Sequence, residues 1–127
     1  MDKKFDIIIY GATGFTGSLG AVYMDKYSNE LNWAIAGRDL VKLKKLQDSI
    51  PSKPEIIVAD ASDEIALKKL TESTRVVASY AGPFNKYSNL LVKACVETGT
   101  HYVDITGEAI WVRDLIVNYH QECVTKK

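Results

Sequence analysis

Three glycines, Gly11, Gly14 and Gly17, stand in the run Gly-Ala-Thr-Gly-Phe-Thr-Gly with the spacing G-x-x-G-x-x-G. That spacing suits phosphate binding. A backbone without side chains can approach phosphate oxygens, and the free N–H groups of a helix start favour their negative charge. On this reading Gly11 allows a tight turn and Gly14 removes a Cβ from the path of a pyrophosphate. Gly17 lets a helix pack closely on a strand. The competing reading is a strand-to-helix turn with no ligand. The spacing departs from G-x-G-x-x-G, so the motif alone does not say which dinucleotide binds.

Arg38 is the second residue with directed chemistry. Dinucleotide folds usually place an acid at the end of the second strand, where it accepts from the ribose 2′-hydroxyl. Here that strand ends in Gly37-Arg38-Asp39. A guanidinium suits a 2′-phosphate, which a carboxylate would repel. Lys42, one turn on, would add positive charge. The alternative is an exposed arginine beside a helix-capping Asp39, and Asp39 keeps NAD in play beside NADP. Asp60 ends the third strand. It either hydrogen-bonds an adenine amino group or caps a turn with Ser62. Gly82-Pro83-Phe84 stiffens the loop after the fourth strand, whose backbone would run beside the nicotinamide ribose.

Other polar residues give weaker signals. Asp104 and Glu108 bracket Thr106-Gly107, and two carboxylates on one loop can serve acid–base work. Acids also gather at helix N-termini because the dipole favours them there. His101 and His120 have no partner at metal-ligand spacing, so both read as structural or surface residues. Tyr87 and Ser88 do not form a Tyr-x-x-x-Lys pair, and Ser79-Tyr80 reads as core.

Positioning these residues requires alternating strands and helices. Ile7–Tyr10 reads as a buried strand, followed by a helix with Phe15, Leu19, Val22, Tyr23, Lys26 and Tyr27 near one face. Trp33–Ala36 is the second strand. The next helix carries Leu40, Leu43, Leu46 and Ile50 on one face, with Asp39 as N-cap. Ile56–Ala59 is the third strand, and Ile65–Thr71 a short helix capped by Ser62. Arg75–Tyr80 is the fourth strand, and Asn89–Thr98 a helix stopped by Gly99. Tyr102–Ile105 is the fifth strand. A last helix from near Gly107 carries Trp111, Leu115, Ile116, Tyr119 and Cys123. Strand–helix alternation with short loops predicts a Rossmann-like three-layer αβα fold. Its sheet would be parallel and doubly wound, with about five strands in the order 3-2-1-4-5. The loops after strands 1 and 4 would then flank one crevice.

Bulk properties narrow the class. With 127 residues the chain suits one domain, the span 1–127. Its 16 basic and 16 acidic residues balance, which gives no electrostatic case for nucleic acid or an anionic membrane. No apolar run approaches the ~20 residues of a membrane span. The first residues feed straight into a strand, so no signal peptide is expected. Cys95 and Cys123 lack metal or redox-motif spacing and read as reduced thiols of a cytoplasmic protein.

The chain also resembles a known family. The matching residues are Gly-Ala-Thr-Gly-Phe-Thr-Gly at 11–17, Ala-Gly-Arg at 36–38, Gly-Pro-Phe at 82–84 with Tyr87, Ala94–Asp104, and Gly107-Glu108. In that order they resemble the N-terminal domain of saccharopine dehydrogenase-like oxidoreductases, a group that includes trans-acting enoyl reductases. Ser88 departs from the glycine usual there. The resemblance implies cofactor contacts at Gly11, Thr13, Gly14, Phe15, Thr16, Arg38 and Gly82, with NADP as the cofactor. It also implies a C-terminal substrate domain outside this chain and hydride transfer to an enoyl or imine-type substrate in the full-length enzyme. This chain alone is then expected to be inactive. It is also expected to self-associate through an exposed sheet edge or the last helix. The other readings are a non-catalytic dinucleotide-binding redox sensor and an interaction scaffold.

Overall fold

The computed structural model of the chain describes residues 3–126. The strands are β1 (Phe5–Tyr10), β2 (Trp33–Gly37), β3 (Glu55–Val58), β4 (Thr74–Ser79) and β5 (His101–Asp104). The helices are α1 (Phe15–Tyr27), α2 (Leu40–Ser49), α3 (Glu64–Glu72), α4 (Phe84–Tyr87), α5 (Asn89–Thr98) and α6 (Ala109–Thr125). All strand pairs are parallel, and the sheet order is β3-β2-β1-β4-β5. This is the doubly wound Rossmann arrangement expected from the alternation. The chain leaves β1 toward one edge and returns at β4 toward the other, so the loops after β1 and β4 part at the sheet centre.

Successive residues of β1 feed opposite layers, as strand geometry requires. Ile9 packs with Ala21, Trp33, Ile35, Leu43 and Ile50 under α1 and α2. Ile8 packs with Ala34, Leu67, Leu70, Val77, Leu91 and Cys95 under α3 and α5. A smaller cluster of Phe84, Val92, Val96 and Trp111 joins α4, α5 and α6.

Several expectations at the level of faces and caps are corrected. On α1 the buried residues are Gly17 and Ala21, while Phe15 is 84% and Tyr23 62% exposed. Leu19, Val22 and Tyr27 are exposed as well. The large apolar stripe therefore points away from the sheet. The cause is closeness: a Cβ on Gly17 would lie 2.1 Å from the Gly11 carbonyl oxygen, and one on Gly20 2.8 Å from the Tyr80 ring. Only small residues fit at Gly17 and Gly20, while Met24 further along α1 packs against the core. On α2, Leu43 and Ile50 are buried as expected, but Leu40 is exposed. On α6, Trp111 is buried and Leu115 and Tyr119 pack at its side, whereas Ile116 and Cys123 are exposed. Helix α3 is capped by Asp63, whose carboxylate accepts the Ala66 N–H at 3.0 Å, and not by Ser62. The Asp39 cap on α2 is as expected, with the Lys42 N–H donating to it at 3.1 Å. Gly99 ends α5 with φ +67°, a left-handed conformation that suits glycine. The short helix α4 had no signal in the apolar pattern.

Candidate functional site

The carboxyl ends of β1, β2 and β4 open into one cleft of about 270 Å³. Its lining includes Gly11, Thr13, Gly14, Arg38, Asp60 and Gly82, residues from four separate loops. Larger hollows of about 490 and 470 Å³ lie elsewhere: one at the amino ends of the strands around Lys4, Asn32 and Glu55, the other between α5, β5 and α6. Neither gathers the glycine loop with a helix start, so the strand-end cleft is the candidate site.

The three glycines have different structural reasons. Gly11 turns the chain with φ +73°, and its N–H donates to the Ala36 carbonyl at 3.0 Å. A Cβ there would also meet the Ala81 nitrogen at 2.8 Å. Gly17 is required by the close approach of α1 to the loop beneath it. Gly14 is required by neither. Its backbone is extended (φ −71°, ψ 169°), and a Cβ would find its nearest neighbour at an ordinary 3.6 Å. The space above Gly14 is open, as a cradle for an approaching phosphate group must be.

Helix α1 begins at that cradle. Gly14 offers no side-chain cap, and the first turn holds no acid. Among the described residues no partner is found for the N–H groups of Phe15, Thr16 and Gly17. By contrast, Asp39 and Asp63 cap α2 and α3. Unpaired N–H groups and the positive end of the helix dipole thus face the same opening. Phe15 and Thr16 are exposed and lie outside the cleft lining. Gly17 is buried beneath the cleft.

Arg38 is exposed at the mouth of the cleft and makes no ion pair among the described residues. Asp39 is turned toward its cap, which leaves the guanidinium as the charged group at the end of β2. Asp60 accepts from both the hydroxyl (2.7 Å) and the N–H (2.9 Å) of Ser62. The Ser62 hydroxyl, its N–H and the nearby Arg38 hold the Asp60 carboxyl below the usual range. The turn-capping role is therefore present, and the acid still lines the cleft. Tyr10 forms part of the floor, donating to the Ala59 carbonyl at 3.0 Å. Burial first, then the Asp60 charge, pushes its hydroxyl up to about 12, against the opposing effect of Arg38.

The far wall is the β4–α4 loop. Gly82 and Tyr87 line the cleft together with Tyr80 and Ala81. Ser79 and Ser88 are buried beneath it: the Ala81 N–H donates to Ser79 Oγ at 3.3 Å, and the Ser88 hydroxyl donates to the Ala81 carbonyl at 3.4 Å. Asp104 and Glu108 do not pair as an acid and a base. Asp104 accepts from Tyr102 and Thr106, and Glu108 accepts from the backbone of α4. Glu108 does meet a helix start, but that of α4 instead of its own helix. His101 and His120 are exposed outside the cleft. Sequence reading missed Tyr10 and Tyr80 as cleft residues. For Tyr80 a signal existed in Gly20, whose missing side chain leaves room for the ring.

Comparison with known proteins agrees with this geometry. Residues 7–127 match the family model described as the saccharopine dehydrogenase NADP binding domain. A trans-acting enoyl reductase of Mycobacterium tuberculosis is 36% identical over 124 residues, covering 95% of this chain and 30% of that protein. A trans-acting enoyl reductase of Mycobacterium ulcerans is 34% identical over 123 residues, covering 94% of this chain and 29% of that protein. The chain thus spans about three-tenths of the length of these curated relatives. In fold it is similar to apo saccharopine dehydrogenase (L-Glu forming) from Saccharomyces cerevisiae, with a TM-score of 0.70 at 24% identity, over 87% of this chain and 24% of that one. A short-chain dehydrogenase/reductase from Veillonella parvula gives a TM-score of 0.67 at 18% identity, over 96% of this chain and 62% of that one. The chain belongs to the saccharopine dehydrogenase NADP-binding domain family, with NADP as its cofactor.

Proposed function

We propose that the strand-end cleft holds NADP in an oxidoreductase that delivers hydride to an enoyl or imine-type acceptor. The observation that carries this reading is the open cradle at Gly14, which neither backbone conformation nor protein packing explains. The N–H groups at the start of α1 would hold the pyrophosphate, and Arg38 with Lys42 the 2′-phosphate. Asp60 would stand near the adenine, and Gly82 beside the nicotinamide ribose. NADPH supplies the hydride when bound; the chain's own residues bind it, orient it and wall one side of it from water.

The relatives quoted above are named as reductases, which favours a catalytic role over a redox sensor. With Asp104 and Glu108 both accepting from neighbouring donors, we assign no acid–base pair to this chain. We infer that the substrate-facing groups belong to a further domain outside these residues, and the chain by itself is expected to leave NADPH unoxidised. Steady NADPH consumption by these 127 residues with an enoyl or imine substrate would overturn that assignment.

Assembly follows from the same reading. Among the described residues β5 pairs only with β4, and Val103 within it and Ile105 just after it are exposed. An open strand edge flanked by apolar side chains recruits other chains, so the isolated domain is expected to self-associate. Sedimentation showing a monomer at high concentration would contradict this. The free thiols Cys95 and Cys123 support a reducing, cytoplasmic setting.

A further inference from the structure

The segment Asp104–Glu108, between β5 and α6, is tied to the cleft wall by hydrogen bonds that span the sequence. Glu108 Oε2 accepts the Phe84 N–H at 2.7 Å, and Oε1 accepts the Asn85 N–H at 3.1 Å. These are the first two residues of α4, and the first N–H groups of any helix lack a partner within it. Bonds from N–H to an ionised carboxylate are stronger than neutral ones.

The carboxylate is itself fixed. The Thr106 hydroxyl donates to Glu108 Oε2 at 3.3 Å and accepts the Glu108 N–H at 3.0 Å. The Thr106 N–H donates to Asp104 Oδ1 at 2.9 Å, and the Tyr102 hydroxyl donates to Oδ2 at 2.7 Å. Burial chiefly, with the Asp104 carboxylate beside it, raises the Tyr102 pKa, so this hydroxyl stays a donor. Behind α4 the Phe84 ring stacks on Trp111 at 5.9 Å, and the indole N–H donates to Asn89 Oδ1 at 2.7 Å. The β5–α6 segment thus grips α4 at its start, and Trp111 of α6 packs against its Phe84 ring.

Helix α4 matters because both of its flanks meet the cleft: Gly82 lies just before it and Tyr87 ends it. We propose that Glu108 is a positioning residue for NADP, holding α4 so that Gly82 and Tyr87 form the wall that receives the nicotinamide end. Its work is done through backbone N–H groups and not by proton transfer. The adenine end, at Arg38 and Asp60, lies on other loops and does not depend on this grip. The proposal rests on the reading of the cleft as the NADP site.

Glu108→Ala and Glu108→Gln test it with two readouts. The first is amide exchange at Phe84 and Asn85 in the chain without ligand. The second is calorimetry with NADP and with 2′,5′-ADP, which carries the adenine half and lacks nicotinamide. Glu108→Ala should speed exchange at both amides and weaken NADP by about tenfold, with 2′,5′-ADP changed by less than about twofold. Glu108→Gln keeps one carbonyl acceptor and should recover part of both effects. Unchanged exchange at Phe84 and Asn85 would overturn the grip. Equal loss for NADP and 2′,5′-ADP would overturn the positioning role and assign Glu108 to the fold as a whole. If the unsubstituted chain bound neither probe, the NADP reading itself would fail, and the exchange data would still decide the grip alone.

Discussion

A Cβ on Gly17 would stand 2.1 Å from the carbonyl oxygen of Gly11, a separation no folded backbone tolerates. These two glycines lock α1 onto the loop after β1, and the loop's shape depends on that contact. Gly17→Ala must therefore push the helix off the loop. We expect a loss of about 3 kcal/mol or more, read as a lowered urea midpoint. An unchanged midpoint would show that the contact is looser than described.

Arg38 should set cofactor choice. A hydrogen bond to a charged group contributes roughly 1.5–3 kcal/mol, so Arg38→Ala should weaken NADP by about ten- to a hundredfold. NAD, which has no 2′-phosphate, should bind almost as before. Calorimetry with both cofactors checks this, and equal loss for both would assign Arg38 to the shared phosphates or to folding.

The Asp60–Ser62 turn makes a pH prediction. Its folded pKa lies below the unfolded value, because the Ser62 hydroxyl and N–H favour the carboxylate. The resulting stabilisation is present above the unfolded pKa of about 3.9 and is lost as pH falls through the folded value. Ser62→Ala removes the hydroxyl donor, so the Asp60 carboxyl should titrate closer to its ordinary range by NMR. An unmoved titration midpoint would mean that the hydroxyl bond contributes nothing.

The cysteines should differ in reactivity. Cys95 is buried, and burial pushes its thiol up to about 12, whereas Cys123 is exposed. A thiol reagent at neutral pH should modify Cys123 in the native chain and both cysteines after unfolding. Fast native labelling of Cys95 would show that α5 opens readily.

The legible parts of the sequence were those written in local patterns. Strand order followed from alternation, the Gly11 turn and the Gly17 contact from the glycine spacing, and the end of α5 from Gly99. The α1 face is not legible from hydrophobicity, which ranks Phe15, Leu19 and Tyr23 above Gly17, Gly20 and Ala21. The deciding factor was the distance between helix and sheet, which the glycines themselves set. Asp63 displaced Ser62 as the α3 cap because Asp60 engages Ser62 first. The grip of Glu108 on Phe84 and Asn85 spans elements that meet only after the sheet has formed. No local pattern encodes it.

On the proposed reading, the open space above Gly14 receives the pyrophosphate of NADP. Gly14→Val fills that space, and its Cβ would lie at an ordinary 3.6 Å from the nearest neighbour, so the variant should fold with a Tm within a few degrees of the parent chain. Calorimetry on both proteins is the direct measurement. The parent chain should bind NADP and the folded variant should not; equal affinity of the two for NADP would contradict the pyrophosphate's place above Gly14.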